Sequence, residues 1–592
     1  MAQNNIKDSF KGNRQAGTGF DPVHAAIIVI FTFIIYFNSI FNGFIRDDYA
    51  EVLMDPWIRD FAHLKPIFML NFWGFIGRLS SYYRPMKGVV YVLLYSVFGT
   101  SPWGWHLVNV LLHAVNSVLV YEVALLLTNG AQPVKAGPVR FLPDARKAGA
   151  LAAGLIFAAH PVHVESVAWV AGFSDTLPTF FLLSSFIVFI KLPGRSSGRS
   201  GYLLYFFSEF FLLLAGFLSK ESAFLVPAGF IAYGLLVKDG EAGDRKAAVL
   251  IKKYSPFALA WAAYIGLRIH AVGSFTGPAL HPPIPLATNV LTVLSFFALY
   301  VLKIFFPFRL NAGYSYGFVS SVFSAQFMIC ALVDVLFAVC MFIYLKRDRR
   351  FFLYGLIFVL AILPALDLYG LYDLLFADRY LYIPSIGFAL AAGLAVQKSF
   401  PGWNRAIIAA LAALLVFYSA STVMRNLVWK DNLSVWADAA SKSPEDPYVL
   451  EQYGQELQKN GDIATAVKVY GRAADNIGSG PTLNSTVILD KYGLALMENG
   501  DFEKAVGVFL KAISMNPGIP ELHYNLAKDY EILNEPAEAI AQYRAGIKEK
   551  PSAAACRELA DLLCHSGDNA GADQFYRQAV LMGNSAGPSS CN

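Results

Sequence analysis

The sequence predicts an all-α protein in two parts, a polytopic membrane helix bundle followed by an α-solenoid. Three observations carry this expectation. Hydrophobic residues make up 56% and charged residues 15% of the 592, against about 25% charged in ordinary globular chains. Up to residue 424 the apolar residues gather into runs of about twenty, long enough for ~30 Å of hydrocarbon, and a polar last third follows. In that third, turns at Gly500-Asp501, Asn534-Glu535 and Gly567-Asp568 recur at spacings of 34 and 33 residues, a period of stacked helical pairs.

Composition also excludes. The formal net charge of +4, with no basic stripe interleaved among aromatics, argues against a nucleic-acid partner. Cys330, Cys340, Cys556, Cys564 and Cys591 form neither a CxxC pair nor a closely spaced even set, so neither a disulfide framework, a zinc site nor redox chemistry is expected.

Residues 1–23, with Lys7, Lys11 and Arg14, read as a cytoplasmic N-terminus. The apolar run from His24 to Phe44 ends in Arg46, Asp47 and Asp48 rather than at small residues, which marks a retained span and not a signal peptide. Further runs lie at 102–127, 147–168, 174–191, 202–219, 221–237, 254–271, 325–345, 350–366, 380–397 and 405–424, giving about eleven spans. This count puts five basic clusters on the cytoplasmic side, as the positive-inside rule requires. They are Lys135/Arg140/Arg146/Lys147, Lys191/Arg195/Arg199, Arg245/Lys246/Lys252/Lys253, Lys346/Arg347/Arg349/Arg350 and Lys398/Arg405.

Two apolar stretches are set aside as crossings. Met86 to Phe98 is short and repeats Met86, Val89, Val90, Leu93, Leu94 and Val97 at helical spacing opposite Tyr91 and Tyr95, which suits an interfacial helix. Val290 to Phe306 reads as interfacial or re-entrant, because counting it would move the Lys346–Arg350 cluster outside. The resulting organisation is a membrane domain at 24–424 with an outer loop at 45–101, a linker at 425–446 with Trp429 and Trp436 as interface anchors, an array of about four repeats at 447–585, and a tail at 586–592. An odd number of spans places the array opposite the N-terminus, outside the cytoplasm.

Within the array, Gly493, Ala505, Phe509, Ala512 and Pro517 occupy the packing positions of a tetratricopeptide repeat. Gly454, Ala466, Tyr470 and Ala473 repeat them in the first unit around Gly461-Asp462, and a Gly/Pro insertion near Gly478–Pro481 lengthens the first gap.

Ionisable residues gather at the outer ends of spans: Asp47 and Asp48, Arg84, His160, His163 and Glu165, Asp175, Lys220 and Glu221, Arg268 and His270, Asp378 and Arg379. Charges near membrane depth are costly unless paired or hydrated, so a functional site is the default reading; paired or snorkelling charges at helix ends remain the alternative for Lys220/Glu221 and Asp378/Arg379. The Asp47-Asp48 pair invites metal binding or general-base work. His160-Pro-Val-His163 with Glu165 resembles a metal cluster, but Pro161 interrupts the helix and no cysteine joins it. It reads as a substrate or phosphate contact, or a loop anchor, rather than a zinc site.

In order along the chain stand RDDYA, YYRPM, HPVHVESVAWVAGFSDTL, SKES and ADRYLYIPS, followed by tetratricopeptide repeats. This set resembles the transmembrane and TPR repeat-containing O-mannosyltransferase family and its prokaryotic relatives, which have the GT-C membrane glycosyltransferase fold. The array, about four repeats, is shorter than in animal members. The resemblance implies an inverting transfer of a sugar from a polyprenyl-phosphate carrier to a protein or glycan hydroxyl outside the cytoplasm. It implies Asp47 as general base with Asp48 as second choice or support. Arg84, Lys220 and Arg379 are then expected at the donor phosphate, and His160, His163, Glu165, Asp175, Glu221, Arg268 and Asp378 in the sugar pocket. The apolar flanks would hold the lipid tail and the array would present protein acceptors. No cofactor is required by default, with a divalent cation left open.

A transporter of lipid-linked sugars would show repeated halves and midplane charges, and neither is seen. A membrane-anchored scaffold would not need charges converging from six span ends. The short array and the C-terminal Ser-Cys-Asn, which is no endoplasmic-reticulum retrieval signal, point to a bacterial inner membrane with the array in the periplasm.

Overall fold

The computed structural model describes residues 20–128, 144–192, 198–238, 247–276, 284–366, 376–399, 405–478 and 483–583. Lys7, Lys11, Arg14, Lys135, Arg140, Arg195, Arg245, Lys246, the tail at 586–592 and the Gly/Pro insertion beyond Gly478 lie outside them. The described residues are helical without strands, and the chain divides into two compact units, 1–312 with 316–431 and 313–315 with 432–592.

Among the described residues, eight helices of the first unit are long and apolar enough to cross a membrane: Pro22–Phe41, Pro102–Leu127, Val170–Lys191, Arg199–Phe217, Leu286–Phe305, Ala325–Arg347, Arg349–Leu366 and Ala406–Val428. A ninth arises if Ala145–Ala159 and Pro161–Ala168, bent by 47°, form one broken span. The expected count of eleven is therefore corrected. The run at 221–237 is a shorter apolar helix, and in Ala247–Val272 the charges Lys252, Lys253 and Arg268 dilute the apolar run. The run at 380–397 opens with the 3-10 turn Asp378–Leu381, which leaves only the 15-residue helix Ser385–Ser399. Conversely, Leu286–Phe305, set aside in the sequence, is 20 residues of continuous helix.

Helices in hydrocarbon gain little from burying apolar surface against one another, so close backbone contact and buried polar ties hold the bundle. At the crossing of Ala145–Ala159 with Ser385–Ser399, a Cβ on Gly149 would lie 2.5 Å from the Gly393 carbonyl oxygen, and one on Gly393 equally close to that of Gly149. Asn109 Nδ2 donates to the carbonyls of Ser166, Val167 and Trp169 at 2.9–3.2 Å, tying the Pro102–Leu127 helix to the broken segment that follows His160.

The second unit begins with Asn432–Lys442 and continues as four helical pairs, Pro447–Lys459 with Ile463–Asp475, Leu483–Asn499 with Phe502–Met515, Pro520–Ile532 with Pro536–Glu549, and Ala553–His565 with Asn569–Leu581. The four aligned turn residues, Gly461, Gly500, Asn534 and Gly567, all have positive φ, from 59° to 86°, the left-handed region that Gly and Asn tolerate. At the packing positions a Cβ on Gly454 would meet the Tyr470 ring at 2.8 Å, and one on Gly493 the Phe509 ring at 2.5 Å. Trp436, expected as an interface anchor, is instead buried among Val449, Leu450 and Tyr470 in the core of this unit. Trp429 is likewise fully buried, its ring 5.9 Å from that of Trp169. The cysteine expectation also needs correcting, because Cys564 is disulfide-bonded.

Candidate active site

Immediately after the first span, Arg46 takes the left-handed conformation at φ 49°, an uncommon state for a residue with a Cβ. The neighbouring carboxylate holds this turn: Asp48, fully buried, accepts from the backbone N–H of Ile45 at 3.0 Å and of Ala171 at 2.8 Å. The Ala171 donor is presented by a tight turn at Trp169–Gly172, where any Cβ on Gly172 would lie 2.3 Å from the Ser166 carbonyl oxygen. Burial pushes the Asp48 carboxyl well above the ordinary range, more than its two N–H donors offset.

Asp47 is exposed and makes no side-chain hydrogen bond or ion pair with any described residue. It borders a cavity of about 60 Å³ that is also lined by Arg84, Lys220, Arg379, Glu51, Lys87 and an aromatic wall of Phe72, Trp73, Tyr82, Trp169 and Tyr380. The structure thus brings one of the two predicted base candidates and all three predicted phosphate contacts to one cavity, from four separate segments of the chain.

Each of the three cations is held from behind by a buried or half-buried carboxylate. Arg84 donates Nε and Nη2 to Glu221 Oε2 at 3.1 and 3.0 Å. Lys220 Nζ donates to Asp175 Oδ1 at 2.5 Å and lies 5.3 Å from the Tyr380 ring centre. Arg379 donates Nη1 to Glu165 Oε1 at 2.5 Å and its backbone N–H to Oε2 at 3.1 Å, with its guanidinium against the rings of Tyr380 and Trp169. Burial lowers the Lys220 ammonium to about 8; Asp175 opposes that shift, and the Arg84 and Arg379 charges add to it. Burial would raise Glu221, but Arg84 and Arg268 hold it below its ordinary value.

None of the seven residues expected to shape a sugar pocket lines this cavity. Glu165, Asp175 and Glu221 instead orient the cations, and Arg268 backs Glu221 at 3.8 Å while donating to the Ser81 carbonyl at 2.8 Å. Asp378 accepts from the Asn311 backbone N–H at 3.0 Å. His160 and His163 are buried deeper in the bundle, His160 Nε2 2.9 Å from the Ile304 carbonyl oxygen and His163 Nε2 2.7 Å from Ser385 Oγ. Through these contacts they anchor the broken segment. Among the described residues no group of three or more His, Cys, Asp or Glu is placed to hold a metal ion.

Sequence reasoning missed Glu51, Lys87 and the aromatic wall. Lys87 Nζ donates to Glu51 Oε2 at 2.6 Å and to the Ala171 carbonyl at 3.3 Å. The helix Pro85–Phe98, expected to lie in the membrane interface, turns a polar group inward. It buries Lys87 and Tyr91 and leaves Leu93 and Val97 exposed. A lone lysine inside that apolar run was the available signal.

The helical membrane domain thus sets one unpartnered carboxylate and several braced cations around one cavity, and a repeat array follows it in the sequence. The array matches the tetratricopeptide repeat model over residues 492–554 and 524–590. Homologues of the chain are protein O-mannosyl-transferases. Protein O-mannosyl-transferase F38B6.6 of Caenorhabditis elegans is 25% identical over 459 residues, 76% of this chain and 62% of the relative. Protein O-mannosyl-transferase TMTC4 of Homo sapiens is 26% identical, over 76% of this chain and 66% of the relative. TMTC3 of Mus musculus is 24% identical over 92% of this chain and 59% of its own length. The chain thus spans less than two thirds of the length of these curated relatives. Among solved structures, a crystal structure of MamA matches 25% of this chain and 85% of its own at 17% identity and a TM-score of 0.24.

Proposed function

We propose that this protein is a membrane glycosyltransferase that moves a sugar, in line with its relatives a mannose, from a polyprenyl-phosphate carrier to a protein hydroxyl on the non-cytoplasmic side. The observation that carries this reading is the cavity itself: Asp47 free of partners, facing three cations that buried carboxylates hold in place. Displacement at an anomeric carbon needs a base for the acceptor hydroxyl and positive charge for the departing phosphate. Asp47 takes the acceptor proton, while Arg84, Lys220 and Arg379 stabilise the leaving phosphodiester, so that attack from the face opposite the phosphate inverts the anomeric centre. The cavity of about 60 Å³ has room for about two waters, so the outer loop must part to admit a glycosyl phosphate. The array presents acceptors.

The side assigned to the array draws on Cys564. A disulfide persists in oxidising compartments and is rare in the cytosol.

The test is reconstitution of the full chain with undecaprenyl-phosphate mannose and a hydroxyl-rich acceptor protein, with mass spectrometry of the product. Mannosylated acceptor that disappears in Asp47→Asn supports the reading. A folded wild type that neither binds nor consumes any lipid-linked sugar returns the protein to the class of membrane-anchored scaffolds.

A further inference from the structure

Four ion pairs brace the cavity, and one of them differs from the rest. For Arg84, Lys220 and Arg379 only the cation lines the cavity, and its carboxylate stands behind. In the fourth pair both Glu51 and Lys87 line it. Glu51 lies one turn after Asp47, its backbone N–H donating to the Asp47 carbonyl at 2.8 Å. Its Oε2 is fully used, accepting from Lys87 Nζ at 2.6 Å and Tyr91 Oη at 3.1 Å. Its Oε1 accepts from no described residue. Lys87 is almost completely buried, and two of its three N–H donors go to Glu51 and Ala171.

The pair therefore offers one carboxylate oxygen and one ammonium donor side by side, bounded by the Phe72 ring, 4.8 Å from Nζ, and by Trp73. A directional acceptor and donor whose charges cancel within the pair, beside an aromatic face, match a sugar ring, whose hydroxyls donate and accept while its C–H face lies on an apolar wall. They do not match a phosphate, which would be repelled by Glu51. We infer that Glu51 and Lys87 are the sugar-hydroxyl contact of this site, Glu51 accepting from one hydroxyl and Lys87 donating to the same or the adjacent one. This places the transferred sugar between Asp47 and the Phe72–Trp73 wall, with the phosphate on the Arg84, Lys220 and Arg379 side. The inference rests on the glycosyltransferase reading and adds the residues that choose the sugar.

The experiment uses the full-length protein with undecaprenyl-phosphate mannose and its monodeoxy analogues. Glu51→Gln is expected to lower kcat/KM for the parent donor about 10- to 100-fold, the range for a lost hydrogen bond to a charged group. With one of the monodeoxy donors, already poor for the wild type, the same variant should lose less than about 3-fold. Because a single substitution strands the other buried charge, the double variant Glu51→Gln/Lys87→Met is measured beside it. It is expected to recover the wild-type melting temperature but not the parent-donor kcat/KM. An equal loss on every deoxy donor, or recovery of activity in the double variant, overturns the contact and leaves the pair a structural brace. A wild type that consumes no lipid-linked sugar overturns the glycosyltransferase reading, and this assignment with it.

Discussion

At the scale of residues, adjacency in sequence conceals a division of labour between two carboxylates. Asp48 is spent on the Ile45 and Ala171 N–H groups, while Asp47 has no such duty. Asp47→Asn is expected to cut transfer by roughly 10²- to 10⁴-fold, the usual cost of removing a general base, with an unchanged melting curve. Asp48→Ala should do the reverse first, destabilising the fold by about 1–3 kcal/mol because two buried N–H donors lose their acceptor. A thermostable, fully active Asp47→Asn beside an inactive, folded Asp48 variant would exchange the roles. Lys220 supplies the pH dependence. With its ammonium lowered to about 8, the cation is present below that pH and lost above it, so transfer should fall as pH rises through about 8. Lys220→Arg, which stays charged, should remove that alkaline limb.

At the scale of elements, the repeat array is constrained at its packing positions and carries one buried carboxylate as a liability. Gly493→Ala would place a Cβ 2.5 Å from the Phe509 ring. It should lower array stability by about 1–3 kcal/mol, the range for overpacking, readable as a drop in melting temperature of the 432–592 unit. Asp529 is buried with neither carboxylate oxygen hydrogen-bonded, and burial followed by the Glu503 charge raises it to about 6. Since its folded pKa lies above the unfolded value of about 3.9, folding favours the protonated form. Stability should therefore increase as pH falls from about 7 toward 4, and Asp529→Asn should raise stability at neutral pH and flatten that dependence. A melting temperature independent of pH in the unsubstituted array would contradict this account.

At the scale of the whole molecule, the boundary between the membrane unit and the array unit falls at Asp431/Asn432. A chain ending at Asp431 should still consume the lipid-linked sugar and lose its protein acceptors, because repeat arrays are stabilised by neighbours along the stack. Retention of every natural acceptor by that truncation would refute the presentation role. Topology is tested by a tag after Asn592, expected outside.

What the sequence determined by itself was whatever depends on local pattern. Apolar length marked the membrane domain, and the turn residues Gly500, Asn534 and Gly567 fixed the repeats, because positive φ and inter-helix packing recur at a period readable in one dimension. Charges at span ends are conspicuous in an oily chain, and the family resemblance picked Asp47, Arg84, Lys220 and Arg379 from among them. Only the tertiary structure decided how many runs are helices long enough to cross, because the break at His160-Pro161 and the 3-10 turn before Ser385 interrupt continuous hydropathy without changing it. Only it separated Asp47 from Asp48, turned Glu165, Asp175 and Glu221 from pocket residues into braces, and disclosed Glu51 and Lys87. A buried charge declares its role through the partner it meets across the fold, and no spacing along the chain records that Lys87 will find Glu51 and the Ala171 carbonyl together.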